Sequence, residues 1–110
     1  MNKEFLNPPD LPNWQQAFSQ VVIVESSAAR TIYVAGQVSV DKENNLIGEG
    51  DLKVQAEQTF RNLEIALAAA RATTADVVKV NIYVKNYKPA STIISEALRR
   101  AFPHLRLPRE

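Results

Sequence analysis

The order of apolar and polar positions along the chain predicts strands in its first half. Residues 17–25, which contain a β-branched run, predict one strand, and residues 31–34 predict a second. The short polar gap at 26–29 predicts that the two form an antiparallel hairpin. Residues 38–40 continue in extended form up to a polar turn at 41–45.

Two amphipathic stretches predict helices. The first begins at Asp51, a favourable N-cap, and runs to about residue 72. The second is capped by Ser91 and runs to about Phe102, where Pro103 ends it. Apolar residues recur along the first stretch at steps of three and four, as on one face of a helix. They are Ala56, Phe60, Leu63, Leu67 and Ala70. We expect Leu63 and Leu67 to lie between this helix and the sheet.

Residues 77–85 alternate between apolar and polar side chains, which predicts a further strand with one face on the core. The apolar positions are Val78, Val80, Ile82 and Val84, and the polar face carries Lys79, Asn81, Tyr83 and Lys85. The tyrosine on this polar face suits a wet interface between subunits. The fold class is therefore α+β, a mostly antiparallel or mixed sheet with two helices packed on one face. Because the other face needs cover, we expect a homotrimer.

Composition excludes several classes of protein. The 110 residues are of single-domain size, and 45% hydrophobic with 23% charged residues excludes a disordered chain. The formal net charge of +1 gives no basic excess, so a nucleic-acid or anionic-membrane partner is not expected. No run of apolar residues approaches membrane-spanning length, and we expect a cytoplasmic protein.

Cysteine and histidine usage restricts the available chemistry. The chain has no cysteine, which excludes disulfides, thiolate metal sites and a cysteine nucleophile. His104 is the only histidine, so a histidine-based zinc site is not expected, and we interpret this residue as a polar surface residue. The proline-containing segment 7–12 is expected to be a surface arm that is neither helix nor central strand.

Several segments in order resemble the Rid family, the YjgF-like reactive intermediate deaminases, some of which carry the label endoribonuclease L-PSP. The resemblance covers about residues 7–102 and rests on five short matches. They are Asn7-Pro8 in the N-terminal arm, Ala17-Phe18-Ser19-Gln20, Val34-Ala35-Gly36-Gln37-Val38, the helix from Gln55-Ala56 to Asn62-Leu63, and the segment 76–84.

The resemblance implies a chorismate-mutase-like trimer with its pocket between neighbouring subunits. Such proteins hydrolyse reactive imines and enamines to 2-oxo acids and ammonia without a metal or organic cofactor. An arginine holds the substrate carboxylate, and water attacks the imine carbon. The implied ligand-pocket residues of this chain are Phe18, Ala35, Gly36, Gln37 and Arg109.

The chain departs from the family pattern at the pocket. Phe18 stands where the family has tyrosine and Ala35 where it has serine, so two hydroxyl groups are absent. The carboxylate-binding position falls on Glu110 in one register and on Arg109 in another, and the family's last strands would follow residue 110.

Three functional hypotheses follow. The first is a Rid-like deaminase weakened by these substitutions, and the second is a trimer that binds a small carboxylate metabolite without turnover. The third, an endoribonuclease, ranks last because the chain has no basic stripe and no histidine pair for cleaving RNA.

Overall fold

The computed structural model describes residues 2–105, which form an α+β structure with three strands and two α-helices. The elements in chain order are β1 (Asn2–Leu6), β2 (Val21–Glu25), β3 (Arg30–Val34), α1 (Leu52–Ala69), a one-turn 3₁₀-helix (Thr74–Asp76) and α2 (Ile93–Ala101). The α+β class and both predicted helices are confirmed, but the N-cap of α2 is Thr92 and not the predicted Ser91. Arg109 and Glu110 lie outside the described residues.

The three strands form an antiparallel sheet in the order β1-β2-β3. The predicted hairpin is confirmed, because β2 pairs with β3 in a register that sets Ile23 opposite Ile32. β1 was missed because its sequence is mostly polar and it lies at the edge of the sheet, where most of its side chains are exposed. Of the two forms predicted for the sheet, residues 2–105 show the antiparallel one, because their three strands are all antiparallel.

Alternate residues of β2 form the centre of the core. Val21 and Ile23 are 0% and 2% exposed, and they cluster with Ala66 and Ala70 of α1. Two alanines on this face of the helix let its backbone approach the sheet closely. Leu11 belongs to the same cluster and is 3% exposed. The segment 7–12 is therefore not purely a surface arm, because an apolar side chain within it completes the core.

A charged side chain ties the hairpin to the end of α1. The Arg30 guanidinium donates a hydrogen bond to the carbonyl oxygen of Ala70, beyond the last turn of the helix. The same guanidinium lies 3.5 Å from a carboxylate oxygen of Glu25. A cation at this position interacts favourably with the negative end of the helix dipole.

The second helix packs on the first. The rings of Phe60 and Phe102 meet edge to face with centroids 5.5 Å apart, and Phe102 is fully buried. The N-cap of α1 is Asp51, as predicted, and its carboxylate accepts the amide of Val54. The predicted apolar stripe of α1 thus includes a contact with α2 through Phe60. Leu67 is buried and Leu63 is half-buried, but neither belongs to the cluster that joins α1 to the sheet, so the position expected for these two residues is wrong.

The predicted strand at 77–85 is wrong for this structure. Val78 was expected to face the core and is 90% exposed, and Tyr83 is 91% exposed. A strand exists only beside a hydrogen-bonded neighbour, and none of the strands among residues 2–105 pairs with this segment. Its first carbonyl, that of Val77, contacts the Nε2 atom of His104 at 2.8 Å. His104 is exposed, as expected for a polar surface residue.

Within the described part of the chain, the helices are too short or too polar to cross a membrane.

Leu67→Ala is expected to lower the free energy of unfolding by roughly 2–5 kcal/mol, because the side chain is buried and its removal leaves a cavity. Leu46→Ala is the matched control, since Leu46 is largely exposed and its loss should cost less than about 0.5 kcal/mol. Urea denaturation followed by circular dichroism measures both. Equal losses for the two variants would contradict the assignment of the buried face of α1.

Candidate functional site

Three of the predicted pocket residues, Ala35, Gly36 and Gln37, lie together in the segment that follows β3. Ala35 and Gln37 are half-buried and Gly36 is exposed. We call residues 35–40 the post-β3 segment. It leaves the sheet at the end of β3 and runs towards α1, and its position is fixed by hydrogen bonds from two sides.

A buried glutamine fixes the start of the post-β3 segment. Gln20 is 3% exposed, and its carbonyl oxygen accepts the backbone amide of Ala35 at 2.9 Å. Its side-chain Nε2 donates to the carbonyl oxygen of Pro12 at 3.1 Å, and its backbone amide donates to Asn7 Oδ1 at 3.0 Å. Gln20 therefore joins the N-terminal segment to the end of β3.

The side-chain amide of Gln37 is hydrogen-bonded to that of Gln20. Its Nε2 donates to Gln20 Oε1 at 2.8 Å and to the carbonyl oxygen of Ala35 at 3.1 Å. The side chain is thereby held back against the chain that precedes it. Gln20, which precedes β2, is thus in direct contact with Gln37, which follows β3.

A buried asparagine on α1 fixes the far end of the post-β3 segment. Asn62 is 2% exposed, and its Nδ2 donates to the carbonyl oxygens of Val38 and Val40 at 2.9 and 2.8 Å. Its Oδ1 accepts a hydrogen bond from Gln58 Nε2 at 3.0 Å. One amide side chain thus satisfies two backbone carbonyls and sets the distance between the segment and the helix.

The turn beyond the segment is also hydrogen-bonded. Ser39 Oγ donates to the carbonyl oxygen of Ile47 at 2.6 Å, and the amide of Ile47 donates back to the Ser39 carbonyl. Asp41 closes the turn by accepting the backbone amides of Glu43 and Asn45. Chiefly because the amide of Asn45 donates to its carboxylate, the pKa of Asp41 lies below its usual value.

Gly36 sits in open space between the two anchored ends. A Cβ atom built on it would meet no atom within 4 Å, so no close approach within the described residues accounts for the glycine. The contrast is Gly48, whose φ is +77° and where a Cβ would come within 2.6 Å of Val54 Cγ1. The room at Gly36 leaves its backbone accessible to a group from outside the chain.

Phe18 lies two residues before Gln20, on a hydrogen-bonded turn. The Phe18 amide donates to the Trp14 carbonyl at 2.9 Å, and the two rings stack with centroids 6.3 Å apart. Both rings are partly exposed, at 43% for Phe18 and 38% for Trp14. This turn adds an apolar surface to the polar network around Gln20, and no hydroxyl stands where the resemblance implies one.

A recess among the described residues lies away from these side chains. It has a volume of about 720 Å³ and runs between residues 82–87 and α2. Its apolar lining includes Ile82, Ile94 and Leu98, with Lys85 and two tyrosines. Of the predicted pocket residues, the four that lie within residues 2–105 do not line it. The structure of this part of one chain thus gathers Ala35, Gly36 and Gln37 around Gln20 but does not enclose them.

Two positioning residues, Gln20 and Asn62, were missed from the sequence. Both stand in segments that carry the family resemblance, yet each was considered only as part of a match. The available signal was the position of two amide side chains, one directly before a β-branched strand and the other next to the apolar stripe of an amphipathic helix. Buried amides of this kind are found where backbone groups need a partner.

Asn62→Ala is expected to lower the free energy of unfolding by roughly 2 kcal/mol, because the carbonyl of Val40 loses its side-chain donor and the carbonyl of Val38 keeps only the backbone amide of Val40. Asn81→Ala is the control, since Asn81 is exposed and should cost less than about 0.5 kcal/mol. Chemical denaturation measures both changes. If the two variants unfold at the same denaturant concentration, Asn62 does not anchor the segment.

Comparison with known proteins assigns the chain to a family. A family model described as Endoribonuclease L-PSP matches residues 10–110. A curated protein from Dermatophagoides farinae, named 2-iminobutanoate/2-iminopropanoate deaminase, is 31% identical over 92% of this chain and 78% of its own length. A RutC family protein from Pyrococcus abyssi is 35% identical over 78% of this chain and 65% of its own length. This chain therefore spans about two thirds to four fifths of these two relatives.

Solved structures share the fold. A candidate endoribonuclease from Thermotoga maritima superposes with a TM-score of 0.77 at 26% identity, covering 100% of this chain and 82% of that one. A Rid family protein from Yersinia pestis gives a TM-score of 0.59 at 36% identity, covering 90% and 73% of the two chains.

Proposed function

Because the chain belongs to the Endoribonuclease L-PSP family, whose curated relatives include imine deaminases, we propose that it is a Rid-like deaminase. It hydrolyses reactive imine and enamine intermediates to 2-oxo acids and ammonia. The proposed pocket residues are Phe18, Ala35, Gly36 and Gln37, with Arg109 as the partner of the substrate carboxylate. No metal or organic cofactor is part of this proposal.

The observation that carries the proposal is the open position of Gly36 in a segment anchored at both ends. Hydrogen bonds from Gln20, Gln37 and Asn62 hold the backbone on either side of it. A backbone fixed before the ligand arrives loses little freedom on binding and keeps its polar groups aimed at one place. A side chain at this position would fill the space that the ligand needs.

The reaction makes modest demands on such a site. An imine carbon is already electrophilic, so water can attack it once the substrate is held and oriented. An arginine can hold a carboxylate through two parallel hydrogen bonds, which fixes orientation as well as position. Positioning therefore supplies much of the rate enhancement that the reaction requires.

The substitutions at the pocket weaken this activity in our proposal. Phe18 and Ala35 each lack a hydroxyl that the family pattern carries, and neither can donate a hydrogen bond from its side chain. If Glu110 rather than Arg109 takes the carboxylate position, two like charges repel in a partly dry pocket. Complete loss of turnover with retained binding would leave the alternative, a trimer that binds small carboxylate metabolites.

The proposed homotrimer rests on the sheet face that no helix covers. Phe5, Val22 and Tyr33 are register partners across the three strands and share this face, opposite the core. Phe5 is 61% exposed and Tyr33 is 60% exposed, so an apolar row with two aromatic rings faces solvent in the single chain. A second copy would bury this row and bring neighbouring pockets together.

Deaminase activity is expected to be weak and to rise when the hydroxyls are restored. Phe18→Tyr combined with Ala35→Ser should raise kcat/KM by about tenfold, as expected for two added hydrogen bonds of ordinary strength. The imine is generated from threonine by a dehydratase, and the decrease in semicarbazone formation is followed. Ala75→Ser, on the exposed 3₁₀ turn, is the control and should leave the rate unchanged.

Gly36→Ala tests the site itself. Because nothing lies within 4 Å of the added methyl group, we expect an unchanged melting temperature and loss of both imine turnover and 2-oxobutanoate binding. Arg109→Ala should abolish any turnover that remains in the wild type. Wild-type rates in both variants would contradict the proposed pocket, and full activity without the restored hydroxyls would contradict the weakening.

Assembly is tested by light scattering at micromolar concentration. We expect a mass about three times the 12.3 kDa of one chain. Tyr33→Asp should shift the mass towards one chain, because it places a charge on the apolar row that must be desolvated in the interface. Tyr87→Asp, at an exposed loop tyrosine, should leave the trimer intact. A monomeric wild type would contradict the assembly.

A further inference from the structure

The amide pair of Gln20 and Gln37 has a fixed direction. Backbone carbonyls only accept hydrogen bonds, so the carbonyl of Pro12 requires a donor from Gln20 and the carbonyl of Ala35 requires one from Gln37. Nε2 of Gln20 must therefore donate to the carbonyl oxygen of Pro12, and Oε1 of Gln20 must accept a hydrogen bond from Nε2 of Gln37. The two carbonyls at the ends of the pair leave no other arrangement of the two amides.

One strong acceptor remains after these bonds are made. The Oε1 atom of Gln37 accepts no hydrogen bond from the described residues, whereas its Nε2 is used twice. No buried side-chain nitrogen or oxygen among residues 2–105 is without a partner, so this oxygen of a half-buried residue is open to solvent. Gln37 Oε1 is thus an available hydrogen-bond acceptor next to Gly36, and the hydrogen bonds of Gln37 Nε2 fix its position.

We propose that Gln37 Oε1 accepts an N–H of the substrate nitrogen and so distinguishes imines from the 2-oxo acids they yield. This inference rests on the proposed deaminase function and adds a positioning residue to it. The protonated imine carries two N–H donors, and its positive charge strengthens a hydrogen bond to a neutral carbonyl oxygen. A 2-oxo acid has no hydrogen at this position and gains nothing from the same acceptor.

Hydrolysis of the imine is compatible with this hydrogen bond at each step. Water adds to the carbon of the protonated imine, and one of its protons passes to the nitrogen. The carbon–nitrogen bond then breaks as the remaining hydroxyl proton leaves the oxygen, and the departing ammonia takes up that proton, which gives the 2-oxo acid and ammonium. The nitrogen keeps N–H donors at each stage, so Gln37 Oε1 can hold it from the imine to the leaving group. Once ammonium departs, the acceptor again faces water, which favours release of the product.

Ligand binding tests the inference without depending on turnover. The probes are 2-aminobutanoate, whose ammonium donates hydrogen bonds, and butanoate, which has the same carbon chain and no nitrogen. The wild type should bind 2-aminobutanoate about tenfold more tightly, the difference expected of one hydrogen bond to a charged group. Chemical shift titration measures both affinities.

Two matched variants separate the acceptor from the scaffold. Gln37→Met removes the acceptor together with the contact to Gln20, and the preference for 2-aminobutanoate should disappear. Gln20→Met breaks the same contact between the two glutamines but leaves Oε1 of Gln37 in place, so the preference should remain even if stability falls.

The outcomes are distinguishable. Equal binding of the two probes by the wild type would overturn the inference about Gln37, as would loss of the preference in Gln20→Met with Gln37→Met unchanged. Because the wild-type measurement needs no variant, a failure of Gln37→Met to fold does not remove the test. If the wild type prefers 2-aminobutanoate yet hydrolyses no imine, the deaminase proposal fails while the acceptor role stands.

Discussion

The burial of one amide side chain, that of Gln20, is the constraint on which the site depends. An amide removed from water without partners costs a few kcal/mol, so its nitrogen and oxygen must both be satisfied inside the chain. They are satisfied by Pro12 on one side and by Gln37 on the other. The N-terminal segment, the start of β2 and the end of β3 are thereby held in one arrangement, and Gly36 lies where that arrangement leaves the backbone free.

The hydrophobic core stabilises the same arrangement. Val21 and Ile23 follow Gln20 directly, and their burial against Ala66 and Ala70 fixes which face of β2 points inward. A shift of the strand by one residue would turn these side chains to solvent and would also withdraw Gln20 from its partners. The apolar pattern of β2 and the amide bonds of Gln20 therefore select the same register, and the opposite face of the sheet is left for another surface to cover.

The elements that the sequence predicts correctly are those set by contacts close in the chain. The hairpin of β2 and β3 and the capped start of α1 depend on neighbours within a few residues, and both are confirmed. β1 and the segment 77–85 depend on distant neighbours. β1 pairs with β2 despite its polar sequence, while residues 77–85 have a clear alternating pattern and no strand beside them among the described residues. An alternating pattern of apolar and polar residues indicates that a segment suits a strand, but it does not show whether a neighbouring strand is there to pair with it.

The same distinction separates the predicted site residues from the missed ones. The family resemblance identified Ala35, Gly36 and Gln37 as neighbours in sequence, whereas the contact of Gln37 with Gln20 spans the hairpin and appears only in the folded chain. None of the bonds that hold the post-β3 segment uses the hydroxyl positions at Phe18 and Ala35, since Ala35 takes part through its backbone alone. The scaffold can therefore persist while the hydroxyl chemistry changes. Preservation of the fold in this chain is thus compatible with either of the proposed functions, turnover or binding alone. The balance between the two would depend on the side chains of the proposed pocket and not on the hydrogen bonds that hold the post-β3 segment.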